Sequence, residues 1–273
     1  MAILSMTIIF SCTKSTNSSL STKQKVNNKT VIYLQNAKKG SSKNITGKDV
    51  ARAAAVDIGS AITVVGTTGW AASFLGPIYV VGVTAVSTLS SYGALGVKLP
   101  DEDGISNLGN SRIDLVVKSH INEYEDMGVF HNNGLVELAI YCGATPSSCG
   151  IIEKDSVLFS YFSQNTPNYY GGMNPLELSE KFNFYNEFKG LTNKKLVENA
   201  YLNNEISENV YAIISNYFDA LYTSIDTQDF GNFSISIEND VINSEDLNDI
   251  DKKQLLTAMA IGRYSLTYWS YIY

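Results

Sequence analysis

The chain has 273 residues, of which 44% are apolar and 17% charged, and its formal net charge is −7. That length and apolar content are enough for a buried core and exclude a disordered chain. The acidic balance excludes nucleic acid as a partner, because sequence-independent affinity for phosphates comes from Lys and Arg.

The charge is unevenly distributed. Residues 1–52 hold nine Lys and Arg against a single acid, Asp49, so the rest of the chain is strongly acidic. The basic part opens on a short apolar run, Ala2 to Phe10, which ends in Ile9-Phe10-Ser11-Cys12 and changes abruptly to Thr13-Lys14-Ser15-Thr16-Asn17-Ser18-Ser19. An apolar run closed by a small residue is the pattern of a secretory signal. No Lys or Arg precedes the run, a departure from the usual positive n-region that leaves the translation start open. A small residue followed by cysteine resembles the lipobox of bacterial lipoproteins. The resemblance implies that residues 1–12 are a signal peptide with a lipobox cysteine, that the Cys12 thiol is acylated, and that the chain reaches the lipid bilayer through its acylated N-terminus. In lipoproteins of the Bacteroidota an acidic run just after the cysteine marks export to the cell surface. Thr13-Lys14-Ser15 stands there instead, which implies an exported, lipid-anchored protein facing the periplasm. Residues 13–48, rich in Ser, Thr, Asn and Lys, are expected to form a flexible tether. Its basic charges are favourable beside an anionic bilayer by up to about 1 kcal/mol each.

Residues 49–97 form a glycine-rich apolar block, with no charge between Ile58 and Val97. Gly76-Pro77 divides the block, and Pro77 fits the first turn of a second helix, so a helical hairpin is predicted. Gly59, Gly66, Gly69, Gly82, Gly93 and Gly96 provide small surfaces on which helices approach closely. A helix of about 20 apolar residues would span a bilayer. The first arm, however, is rich in Gly, Ser and Thr, which makes insertion marginal. Two placements stay open: a hairpin buried in the protein, and one that inserts into a membrane. Gly66-Thr67-Thr68-Gly69 lacks the Lys-Ser/Thr of a phosphate-binding loop and the dinucleotide fingerprint, so no nucleotide and no other cofactor is expected.

Residues 98–273 are expected to form a helical body, giving a mainly α, multi-helix bundle packed around or beside the hairpin. Between Asn122 and Tyr141, the residues Tyr124, Gly128, His131, Leu135 and Leu138 recur at steps of four and three, which places them on one helix face. His131 is therefore read as a packed histidine. It is also the best acid–base candidate if the chain were an enzyme, but no nucleophile or oriented carboxylate is identifiable beside it, and no catalytic residues are assigned. Glu123, Glu125 and Asp126 are placed on the solvated face, and His120 is expected to be exposed. Cys142 and Cys149 bracket a turn-rich loop and are read as a disulfide, worth about 2–3 kcal/mol by loop entropy. Two histidines without a surrounding Cys or carboxylate arrangement give no metal site.

Asn174-Pro175-Leu176-Glu177 predicts a helix start running to about Phe188. Asn204-Glu205 opens another helix, with Ile206, Val210, Ile213, Tyr217, Leu221 and Ser224 on one face. Phe230 to Ile237 alternates apolar residues with serines and is read as a short strand. A last helix begins at Asn248, where Asp249 and Asp251 favour its first turn; Leu255, Met259, Gly262, Leu266 and Trp269 share one face. The aromatic terminus either docks on the core or lies at a membrane interface.

Three features in this order, the Gly/Ala-rich block, Asn122-x-Tyr124-x-x-x-Gly128-x-x-His131-Asn132 and Ser265-x-x-Tyr268-Trp269, resemble a group of uncharacterised exported, lipoprotein-like proteins of the Bacteroidota. The resemblance implies an exported helical protein and marks Tyr124, Gly128, His131, Asn132 and Trp269 as its structural motif. It implies no activity. The expected function is that of a membrane-tethered envelope lipoprotein, a non-enzymatic binding or interaction module with an unknown protein partner. The alternative is a membrane-active, bacteriocin-like or pore-forming protein that uses the 58–97 hairpin.

Overall fold

A computed structural model describes residues 20–39, 48–68, 84, 87–89, 112–142, 149–165, 193–224 and 226–272. Among them are eight α-helices: α1 (Thr22–Lys39), α2 (Lys48–Thr68), α3 (Glu125–Cys142), α4 (Ile151–Asn165), α5 (Asn193–Leu202), α6 (Glu208–Thr223), α7 (Thr227–Ile242) and α8 (Asp249–Ile272). A 3-10 turn at Ile113–Leu115 precedes α3. The protein is a mainly α multi-helix bundle, as its periodicity predicts.

The centre of the bundle is α8, with α2, α3, α6 and α7 packed around it. Every residue from Gln254 to Trp269 is buried, which is the condition of a helix walled on all sides. Its start is capped by Asn248, whose Oδ1 accepts from the Asp251 N–H at 2.8 Å, with Asp249 and Asp251 in the first turn. Of the terminal aromatics, Tyr268 and Trp269 dock on the core, buried and meeting edge to face at 5.1 Å, whereas Tyr271 is 38% exposed. The predicted stripe Leu255, Met259, Gly262, Leu266 and Trp269 is buried throughout. At Gly262 the close approach is real, since a Cβ there would lie 2.8 Å from the Ile58 side chain of α2.

The first arm of the glycine-rich block is α2. From Ala53 to Thr63 only Val56 is not buried, and the helix lies against α8, α5 and α6. Thr84, Ser87, Thr88 and Leu89 from the second half of the block are helical and buried. The Gly76-Pro77 turn lies outside the described residues. The hairpin's first arm therefore sits beside α8, and α8 takes the central position. Among the described residues no helix is long and apolar enough to cross a membrane.

Three expectations are corrected. Residues 22–39, expected as part of a flexible tether, are helix α1, because Val26, Thr30, Tyr33 and Ala37 form a buried stripe against α6 and α7 that the polar composition conceals. Tyr33 packs against Phe233 with ring centroids 4.6 Å apart, and Lys23 and Lys29 pair with Glu208 (2.8 Å) and Asp240 (2.6 Å). Residues 230–237, expected as a strand, lie in α7. Phe230, Phe233, Ile237 and Val241 are its buried face, a helical spacing that outlasts the short alternation, and Asp226 caps the helix by accepting from the Asp229 N–H at 2.6 Å. Third, the helix expected to open at Asn204-Glu205 begins at Glu208, capped by Ser207, because Asn204 adopts a left-handed φ of 58° at the end of α5. Its predicted face, Ile206 to Ser224, is buried as expected. The helix predicted at 175–188, the signal segment and Cys12 lie outside the described residues.

Candidate functional site

The residues singled out around α3 converge on α8 through two buried polar clusters. The chain enters α3 through Asn122, whose Oδ1 accepts from the Tyr124 N–H at 2.9 Å while its Nδ2 donates to the Leu256 carbonyl of α8 at 2.9 Å and to Glu238 Oε2 at 3.2 Å. Gly128 then allows contact with α8: a Cβ at this position would lie 2.2 Å from the Tyr264 ring and 2.9 Å from the Ala260 carbonyl oxygen. The carbonyl cannot rotate away as a side chain can. Gly128→Val is therefore expected to destabilise the protein by at least about 1–3 kcal/mol, the usual cost of overpacking. A urea midpoint unchanged from wild type would contradict this helix spacing.

The first cluster joins α2, α3 and α8. Ser265 Oγ donates to Asp57 Oδ2 through a short hydrogen bond, and His131 Nε2 lies 3.1 Å from the same oxygen, at ion-pair distance but out of line for a hydrogen bond. Asn132 Nδ2 donates to the Tyr264 carbonyl at 3.0 Å, which turns its Oδ1 toward His131 Nδ1 at 3.1 Å. Since that oxygen only accepts, Nδ1 is the donor of this pair. Asp57, His131 and Ser265 are all 0% exposed. The expectation of a packed histidine fits this geometry, and its carboxylate partner, missed in the sequence, is Asp57.

This arrangement is poorly suited to acyl transfer. In a serine-nucleophile triad the imidazole stands between the hydroxyl and the carboxylate so that it can take the hydroxyl proton. Here the carboxylate stands in the middle, Ser265 donates to it directly, and all three groups are sealed from solvent. What the cluster can do is hold α2 against α3 and α8, since a carboxylate in an apolar interior is costly unless it keeps its partners.

The second cluster is centred on Arg263, which is almost wholly buried. Its Nε donates to Glu238 Oε1 at 2.8 Å, its Nη1 to the Val117 carbonyl at 2.5 Å and to Glu125 Oε1 at 3.1 Å, and its Nη2 to Glu125 Oε2 through a short bond. Glu238 also accepts from Ser234 at 2.9 Å, and the Tyr217 hydroxyl lies 2.7 Å from Ser234. Tyr264 and the Ser119 N–H both donate to Glu125 at 3.1 Å. Burial pushes the Arg263 pKa down, but the adjacent Glu238 and Glu125 carboxylates outweigh it and hold the guanidinium firmly protonated. Burial pushes the Tyr217 and Tyr264 phenols up, and Glu238 and Glu125 respectively add to the effect. Glu125, expected on the solvated face, is thus corrected to a member of the network with a side chain only 17% exposed. Glu123, Asp126 and His120 are exposed as expected.

The signals for the missed residues were isolated charges in apolar helices. Arg263 is the one charge between Lys253 and the end of the sequence, and Asp57 is the last before the uncharged run to Val97.

Cys142 and Cys149 form a disulfide with Cα atoms 5.2 Å apart, tying the end of α3 to the start of α4. Beside it, between these two helices, lies an open groove of about 470 Å³ lined by Glu137 and Tyr141 of α3 and by α4 side chains from Glu153 to Asn165. Among the described residues no group of three or more His, Cys, Asp or Glu is placed to hold a metal ion. Comparison with family models, with curated proteins and with solved structures finds no match for this chain.

Proposed function

We propose that this protein is an exported, lipid-anchored lipoprotein of the bacterial cell envelope that works as a non-enzymatic binding or interaction module. The observation that carries the reading is the Cys142–Cys149 disulfide, because structural disulfides persist in oxidising compartments and are rare in the cytosol. It agrees with the lipobox-like Ser11-Cys12 and with the exported group that the Asn122-to-Asn132 motif resembles. The polar clusters support a module without catalysis, since their best acid–base residue, His131, is sealed inside the bundle. Nine residues lie between Cys12 and the start of α1, and the roughly ten steps of chain reach at most about 36 Å when extended. On this reading the bundle is held close to the bilayer.

A second reading is a membrane-active protein that stores the 58–97 hairpin in soluble form. It is favoured by the burial of α2 in the bundle, where the buried Asp57 is held by partners from two other helices. Fractionation of cells expressing the wild type and Cys12→Ala, with alkaline carbonate extraction of the membranes, separates the two. A membrane-bound wild type and a soluble variant are expected from a lipid anchor. A variant that resists extraction would put the apolar block itself in the bilayer and favour the second reading. A wild type that is soluble from the start would sink the anchored reading.

A further inference from the structure

We propose that the groove between α3 and α4 is a docking site for a basic segment of a partner protein, taking a Lys or Arg side chain between the carboxylates of Glu137 and Glu153. The proposal rests on the interaction-module reading and names the chemistry of the partner. The groove, about 470 Å³, lies within the range of sites that enclose a ligand group. Its two walls belong to helices joined at one end by the Cys142–Cys149 disulfide, so it is held open before a partner arrives and little ordering is needed on binding.

The lining selects a cation. Glu137 and Glu153 line the groove from opposite walls, and no Lys or Arg is among its described lining residues. Tyr141, 72% exposed, and Tyr161 offer aromatic rings, whose faces attract an ammonium or guanidinium group. An anionic partner would be repelled.

Charge complementarity extends beyond the groove. Residues 53–273 hold 26 acids against 11 bases, a balance that steers basic partners toward the body and turns acidic ones away. Lysines of a basic segment already pair with acids of this body: α1 lies on the bundle with Lys23 on Glu208 at 2.8 Å and Lys29 on Asp240 at 2.6 Å. The groove presents carboxylates with no Lys among its described lining residues.

The test is a fluorescence-anisotropy titration of the full mature chain with a labelled hexapeptide in which Lys alternates with Gly. Saturable binding is expected, weakened about tenfold (the equivalent of 1.4 kcal/mol) by Glu137→Gln with Glu153→Gln. Glu198→Gln with Glu245→Gln, an equal loss of charge on exposed residues outside the groove, is expected to leave the affinity unchanged. Because Glu153 also accepts from the Gly150 N–H at 2.5 Å, Tyr141→Ala serves as an independent variant and is expected to weaken binding severalfold. Equal weakening by the two glutamine pairs would overturn the proposal, leaving only general attraction to an acidic body. So would absence of binding, equal binding of the Glu-for-Lys peptide, or binding of free spermidine as tightly as the peptide. A chain that fractionates as lipid-anchored but fails this titration keeps the envelope reading and loses the groove, whereas a soluble chain that passes does the reverse.

Discussion

Replacing Arg263 with Met lowers the stability of the bundle by about 3–5 kcal/mol, the cost of leaving a buried carboxylate without its counter-charge. The effect is large because one guanidinium serves four segments: α8 carries it, α7 supplies Glu238, α3 supplies Glu125 and the strap before α3 supplies the Val117 carbonyl. Glu238 is wholly buried, whereas the Glu125 side chain is 17% exposed and can recover water. Arg263→Met with Glu238→Leu is therefore expected to regain much of the loss, since exchanging both members of a buried pair for apolar groups is often close to neutral. Arg263→Lys is expected to rescue poorly, because an ammonium is a point charge and cannot reproduce the planar fork that reaches two carboxylates and a carbonyl. Urea denaturation of the three variants checks this order. Equal losses in the single and double variants would show that the damage lies in packing around α8 and not in the stranded carboxylate.

His131→Leu comes second, at about 3 kcal/mol by the same reasoning. The substitution removes the ring nitrogen 3.1 Å from Asp57 Oδ2 and leaves that carboxylate, 0% exposed, with the Ser265 hydroxyl as its hydrogen-bond donor among the described residues. Asp57→Asn in the wild-type background is expected to destabilise as well. The double variant should cost less than the sum of the singles, with a coupling of about 0.5–3 kcal/mol for residues in direct contact. The control is His120→Gln: this histidine is exposed, and its replacement is expected to change stability by less than about 0.5 kcal/mol. Strict additivity of the Asp57 and His131 variants would mean that the 3.1 Å contact contributes no energy.

Much of the bundle could be read in advance where its cause is local. The stripes on α3, α6 and α8 were legible because each apolar set repeats at steps of three and four within one helix, and the start of α8 because Asn248 is followed by two acids. The disulfide was legible because its loop is short and turn-rich. Elsewhere local signals competed. In α7 the serines at 234 and 236 imitate strand alternation, and only burial of Ser234 against Tyr217 and Glu238 shows that both phases of the pattern belong to one helix. In α1 the density of Lys and Asn suggests a solvated chain, yet those residues line the outside of a helix whose inner stripe is four residues long.

The motif read on α3 was correctly placed on one face, but the nature of its contacts could not be read there. Gly128 is small because Tyr264 lies over it, and His131 is buried because Asp57 lies against it. Neither fact has a local cause.

The sequence by itself determined the helical class, most helix faces, the disulfide and the division between a basic N-terminal part and an acidic remainder, because periodicity, capping, loop closure and charge count act over a few residues or over composition. The tertiary structure alone decided which charges are buried and which helix is central. Asp57 meets Ser265 across 208 residues of chain, and Arg263 meets Glu125 across 138. A charge in an apolar helix announces that a partner exists, but the partner's identity follows only from how the helices pack.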